Sequence, residues 1–398
     1  GWEDAGGGGA SDIDGLSDAL VENNSIWLGN DPSGTTDTAS YNVALGTTAL
    51  DAITSGDNNS AIGYNALTAH TTGGYNTAVG SGALTTNTTA SKNTAVGYNA
   101  LTANTSASYN TAIGYTALDS NTTGEYNTAV GWNTLTANTE TSNLNAFGAA
   151  ALTANTTGGD NVAVGSNSLT TNTEGDNNTA IGNNSLRYNT TANNNTAVGK
   201  SALSANTTGT GNTALGYATI TSSVDGDYNT AVGFGAFSSS GNDGDYNTAV
   251  GWYALGSSDV SGHNNVAIGR QPAYSITSGS SNICIGYQAG GTITTGDSNT
   301  CIGQAAGSSI TTEGSNTMVG TGAGSNCTGE QNVCVGANIS ITDGDSIVLI
   351  GRNAFGNGTG NYNVGVGAYA LTNCNTGATN TTLGASSGNN ITSGDHNT

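Results

Sequence analysis

The stretch Asn93–Gly114, NTAVGYNALTANTSASYNTAIG, opens and closes on nearly the same five residues. Its two repeat glycines, Gly97 and Gly114, stand 17 positions apart. The step holds for glycines at 29, 46, 63, 80, 97, 114, 131, 148, 165, 182, 199, 216 and 233. Those at 251, 269, 286, 303, 320, 336, 351, 367 and 384 follow at steps of 15 to 18. Self-similarity at a short fixed period marks a stacked repeat architecture, with about 22 repeats from residue 24 onward.

Each repeat approximates N-T-A-V/I-G-x-x-A-L-x-x-N-T-T-G-x-x. The segment NTAVG carries a β-branched residue and a glycine stop, and reads as a short strand. AL reads as a second, shorter strand or an extended corner, and NTTG as a turn. A 17-residue repeat is too short for a strand, a helix and two loops, and no 3.6-residue periodicity is present. The expected fold is therefore all-β: a parallel β-solenoid, or β-roll, of about 22 two-strand coils. Rungs roughly 4.8 Å apart would give a rod on the order of 100 Å.

Composition agrees. The chain has 398 residues, 62 of them glycine and 2 proline, with 8% charged and 35% hydrophobic. Thr, Asn, Gly and Ala take the place of a large apolar core, which is not the usual composition of disorder. The net charge of −22 argues against binding nucleic acid or an anionic membrane by charge. No apolar run of about 20 residues is available for membrane insertion. The chain starts without Met, shows no signal peptide, and stops partway into a repeat; it reads as a piece of a longer polypeptide.

The columns of the stack explain the residue choices. Four positions before the repeat glycine stand Asn93, Asn110 and Asn127; seven after it stand Asn87, Asn104 and Asn121. Stacked asparagines form amide ladders along a parallel stack and satisfy turn backbone. Gly97, Gly114 and Gly131 form the glycine column. Ala lies on one face of the strand and Val or Ile on the other, since alternate residues point to opposite sides. One face can fill the coil; the second apolar face requires a cover. A side-by-side homotrimer is the expectation.

Residues 1–23 form a separate lead-in, with a Gly-rich hinge and a short amphipathic helix around Ile13 to Val21. The shaft occupies 24–398. Its first rung, NSIWLG, carries Trp27 where later rungs have Ala, as a cap on the stack would.

The N-T-A-V/I-G strand followed by x-x-A resembles the head repeats of trimeric autotransporter adhesins, which implies a trimeric left-handed parallel β-roll. The longer NTAVGYNALTANTTG, with NICIGYQAG, NTCIG and the lead-in GGGGASDIDGLSDALVENNSIWLGNDPSGT, is similar to repetitive fibre proteins of tailed phages, especially marine ones. That resemblance implies a trimeric virion fibre joining the particle to a host-binding tip. Its partners would be other virion or tail proteins and, through a tip outside this sequence, a host-surface glycan or protein. The residues that match are structural, so no receptor-binding residue carries over.

No catalytic constellation is expected. His70, His263 and His396 fall in distant rungs and different columns. Cys284, Cys301 and Cys334 take the Ala column, as does Met318, and act there as small apolar groups; Cys327 and Cys374 sit in turns. The DGD turns place Asp225 with Asp227, Asp243 with Asp245, and Asp343 with Asp345. Two readings stand: solvated Asp-Gly turns, or a Ca²⁺ site built from carboxylate oxygens. One position after the glycine, Tyr98, Tyr115 and Trp132 are consecutive, as are Tyr217, Phe234 and Trp252. Such a column either stacks on sugars, with Trp132, Trp252 and Phe234 as glycan contacts, or fills the groove between chains. N-T-T sequons at Asn87, Asn121, Asn155 and Asn206 are repeat turns first.

The expected function is structural and adhesive: the shaft of a trimeric phage tail fibre or similar virion appendage. A bacterial surface adhesin or extracellular filament is the alternative. An ice-binding solenoid would need a regular outward Thr-x-Thr array, and a polysaccharide-degrading tailspike would need paired carboxylates in a groove.

Overall fold

The computed structural model describes residues 19–29, 38–238, 241–256, 259–355, 359–374, 376–391 and 393–398. It forms two compact units, Gly1–Asn194 and Asn195–Thr398. In the first, strands from β2 (Ser25–Leu28) to β11 (Thr179–Ile181) pair in chain order, each parallel to the next. In the second, strands from β12 (Thr196–Val198) to β23 (Thr381–Leu383) do the same. Register is set by the repeat: Thr94 pairs Thr111, Ala95 pairs Ala112 and Val96 pairs Ile113. The predicted parallel β-solenoid with a rung of about 17 residues is what the chain forms.

From Val43–Leu45 onward, each rung has one three-residue strand among the described residues, not two. The segment expected as a second strand is a turn, flanked by left-handed residues such as Asn99 (φ 52°) and Leu101 (φ 52°). A left-handed non-glycine residue costs about 1–2 kcal/mol. Full burial of a leucine returns about 1.5–3 kcal/mol, and Leu67, Leu84, Leu101 and Leu118 are all completely buried. The turn also keeps its hydrogen bonds between rungs: Leu84 N–H donates to Ala100 O at 3.0 Å, and Thr86 N–H to Thr102 O at 3.2 Å. Pairing therefore extends around the coil and is not confined to the strand.

The strand alternates as its period requires. Ala78, Ala95, Ala112 and Ala129 face inward and are fully buried against the leucine column. Thr94 and Val96 face out and stay half-buried. The glycine column is obligatory for two reasons. Gly46 and Gly63 have φ of +137° and +132°, and a Cβ on either would lie 2.7 or 2.6 Å from the carbonyl oxygen of the next rung's glycine.

The N-terminal helix expectation is corrected where it can be seen. Ala19–Glu22 is a strand, β1, paired antiparallel to β2 with Val21 opposite Ile26; residues 13–18 lie outside the described residues. The cause is the Asn23–Asn24 loop. Both residues are left-handed, at φ 48° and 59°, as in a two-residue type I′ hairpin turn. This hairpin covers the first rung, where Trp27 is buried in the Ala column beside Ala44.

Candidate functional site

The two asparagine columns are buried and hold adjacent rungs together. In the first, Asn110 Oδ1 accepts the N–H of Asn127 at 2.9 Å while its Nδ2 donates to Gly124 O at 2.8 Å. Asn93 does the same for Asn110 N–H and Ala107 O, both at 2.9 Å. In the second column, the amides of Asn121 and Asn104 bond directly at 3.1 Å, and those of Asn138 and Asn121 at 3.0 Å. Asn87 Oδ1 instead accepts Ala90 N–H at 3.0 Å. The sequon residues Asn87, Asn121, Asn155 and Asn206 belong to this column and are completely buried, so in the folded chain their amides face the core.

His70 occupies the same column one rung before Asn87. It is buried, its Nε2 lies 2.7 Å from Gly73 O, and burial lowers its pKa below the ordinary 6.5. Its Nδ1 has no partner among the described residues, nor has Asn87 Nδ2. The other histidines are surface groups: His263 Nδ1 accepts Asp245 N–H at 2.9 Å, and His396 Nδ1 meets Thr379 Oγ1 at 2.8 Å.

The second aspartate of each DGD turn acts as a backbone cap. Asp227 Oδ1 accepts Thr210 N–H at 2.6 Å, Asp245 Oδ1 accepts Asp227 N–H at 2.8 Å, and Asp345 Oδ1 accepts Glu330 N–H at 2.8 Å. Neutral acceptors fill the same place elsewhere, since Ser108 Oγ accepts Ser91 N–H at 3.1 Å and Asn193 Oδ1 accepts Asp176 N–H at 2.6 Å. The column thus selects an acceptor, not a charge. Of the first aspartates, Asp343 N–H donates to Thr328 Oγ1 at 3.0 Å. Asp243 has its pKa raised by burial, by a hydrogen bond to Asp225, and by the charges of Asp225 and Asp259. Among the described residues no group of three or more His, Cys, Asp and Glu side chains is placed to hold a metal ion.

All five cysteines are free and buried. Cys284 and Cys301 are register partners, and the Cys284 thiol is pushed well up by its hydrogen bond to Cys301 and by burial. Burial likewise raises Cys327, Cys334 and Cys374. These are inert, packed thiols.

The aromatic columns stack on themselves. Tyr98 and Tyr115 lie 5.3 Å apart at 14°, and Tyr217 and Phe234 5.1 Å apart at 16°. Trp252 meets Tyr253 edge-on at 4.7 Å and lies under Arg270 at 5.0 Å; Trp132 is 56% exposed. A second column, five positions before the glycine, escaped the sequence reading. Tyr109 and Tyr126 stack at 4.8 Å and 10°, Tyr228 and Tyr246 at 5.2 Å and 9°. The signal was present in Y-N-T-A-V-G-Y: positions −5, −3, −1 and +1 alternate onto one side of the strand. A ring stacked on its neighbour shows solvent its edge, while sugar stacking uses the face.

A groove of about 290 Å³ is lined by uncharged residues, Gln271, Tyr274, Gln288, Gly291, Thr292 and Ser308. No helix among the described residues is long and apolar enough to cross a membrane. No protein-family model, no curated protein and no solved structure matches this chain.

Proposed function

We propose that this chain is a structural shaft: a stretch of a trimeric phage tail fibre or similar virion appendage that supports host attachment, standing outside the cell and on the particle. The observation that carries the reading is the continuity of bonding between rungs. Strand, turn and two asparagine columns each tie a rung to the next, as Thr94 N–H to Asn110 O at 2.9 Å and Asn110 N–H to Asn93 Oδ1 at 2.9 Å do at one point. Such a stack resists local opening and offers proteases little free backbone. Its mechanism is mechanical and involves no enzymatic step or cofactor. Recognition of a host glycan or protein falls to a tip outside this sequence.

A bacterial surface adhesin or extracellular filament built on the same roll is the alternative, with the same physics and a different attachment. The outward file Thr77, Thr94, Thr111 and Thr128 gives an ice-binding reading its footing, but each rung pairs that threonine with Val or Ile and so supplies one hydroxyl file. The test is light scattering with negative-stain imaging. Elongated particles at three times the 39.1 kDa chain mass, resistant to trypsin-like and broad-specificity proteases, are expected. Compact, protease-sensitive particles would overturn the shaft.

A further inference from the structure

We infer that the outward strand face is the surface through which copies of this chain pack side by side, with the acidic turns pointing away. The inference rests on the shaft reading and assigns its partner surface.

The face consists of positions −5, −3, −1 and +1 around each repeat glycine. Position −1 is aliphatic or aromatic in every rung, and its members stay partly exposed: Leu45 47%, Ile113 39%, Phe147 41%, Ile181 40% and Leu215 47%. Within each unit this apolar file, flanked by threonines and by tyrosine stacks, has no cover among the described residues. Isolated exposed apolar residues are ordinary; a file repeated on every rung is a surface that seeks a partner.

Charge is sorted in the same way. Among the described residues, the face carries one carboxylate, Asp160, and four cations, Lys92, Lys200, Arg270 and Arg352. Three of those cations lie over aromatic rings: Lys92 on Tyr109 at 4.8 Å, Arg270 on Trp252 at 5.0 Å and on Tyr287 at 5.3 Å, and Arg352 on Tyr369 at 5.5 Å. The carboxylates gather in the turn columns, including Asp57, Glu125, Asp176, Asp227, Asp245 and Asp297. For a chain of net charge −22, two copies repel least where they meet on this face, on which the four cations outnumber the single carboxylate. Depletion of charge with enrichment of aromatics and arginine is also the composition of an interface core. The stacked rings stand edge-out as ridges, a shape that a partner's side chains can fill.

The area suffices. The face is roughly 15 Å wide, and rungs about 4.8 Å apart give it roughly 700 Å² over β2–β11 and 850 Å² over β12–β23, before side-chain relief is added; a stable interface takes about 800 Å² per partner.

The test compares the whole chain with Val96→Glu/Val232→Glu and, on the same face, Thr94→Lys/Thr230→Lys. Ser106→Glu/Thr295→Glu on the exposed turn edge is the control. Light scattering reports mass and circular dichroism reports the fold. The wild type and the turn-edge control keep a multiple of 39.1 kDa, while both face variants keep their strand signal and fall to the single-chain mass. Face variants that hold the multiple mass would overturn the assignment of this face and leave the shaft reading standing. A wild type at single-chain mass would overturn the assembly itself.

Discussion

Gly290 stands against Cys284 in the core: a Cβ on Gly290 would lie 2.5 Å from the Cys284 sulfur. In most rungs these two positions are Leu and Ala, as in Leu84 and Ala78. The exchange recurs in the next two rungs, where Gly307 accompanies Cys301 and Gly324 accompanies Met318, and it reverses where Leu371 packs on Gly365. The rung conserves volume, not identity, because a close-packed interior tolerates redistribution better than a gap or a clash.

Gly290→Leu alone should destabilise by about 3 kcal/mol through overpacking and its left-handed φ. Cys284→Ala/Gly290→Leu should recover to within about 1.5 kcal/mol of wild type, since it rebuilds the Ala–Leu–Ile rung already present at Ala44, Leu50 and Ile53. Denaturant melts of the two singles and the double measure the coupling; strict additivity would refute the packing account.

Asn110→Leu keeps the bulk of the ladder residue but orphans Asn127 N–H inside the stack, and leaves Gly124 O with the Asn121 Nδ2 bond at 3.0 Å. The expected loss is about 1–3 kcal/mol. Amide hydrogen exchange should accelerate at Asn127 first. Unchanged protection there would mean that the ladder is not what holds adjacent rungs.

His70 gives the chain a pH dependence of definite sign. Its folded pKa lies below 6.5 because burial disfavours the imidazolium, so the unfolded chain binds the proton first as pH falls. Its contribution is fully present above pH 6.5 and is lost below it. His70→Asn should remove that slope and raise stability by about 1 kcal/mol, by letting the amide ladder run through to Asn87. Thermal melts at neutral and mildly acidic pH compare the two.

At the acidic turns, Asp227→Asn should leave stability nearly unchanged, because an amide oxygen can still accept Thr210 N–H, whereas Asp227→Ala should cost about 1–2 kcal/mol. Asp243→Asn should stabilise at neutral pH and lose the effect in acid: a carboxyl with a raised pKa favours folding at pH below 3.8 and opposes it as pH rises through the folded value. A millimolar Ca²⁺ series on the same proteins checks the cation reading. A calcium-dependent rise in Tm abolished by Asp243→Asn would assign an ion to these turns.

The repeat alone determined the stacking. Identical residues every 17 positions put Asn above Asn and Gly above Gly, and parallel register is the arrangement that keeps every column in line. The inward Ala and outward Val of NTAVG followed from strand alternation, up to the choice of which face closes the coil. That choice was tertiary: it depends on Leu101 and its equivalents folding back onto the alanines, through left-handed turns that a leucine gives no local sign of adopting. The lead-in shows the same division. ALVE has the pattern of one turn of helix, yet the I′ loop at Asn23–Asn24 and the open edge of β2 make it a strand, because an unpaired edge rewards a partner more than local propensity resists one. The role of the acidic column was likewise settled only by geometry. A sequence records that Asp227 is charged; the stack decides that its oxygen serves Thr210 N–H.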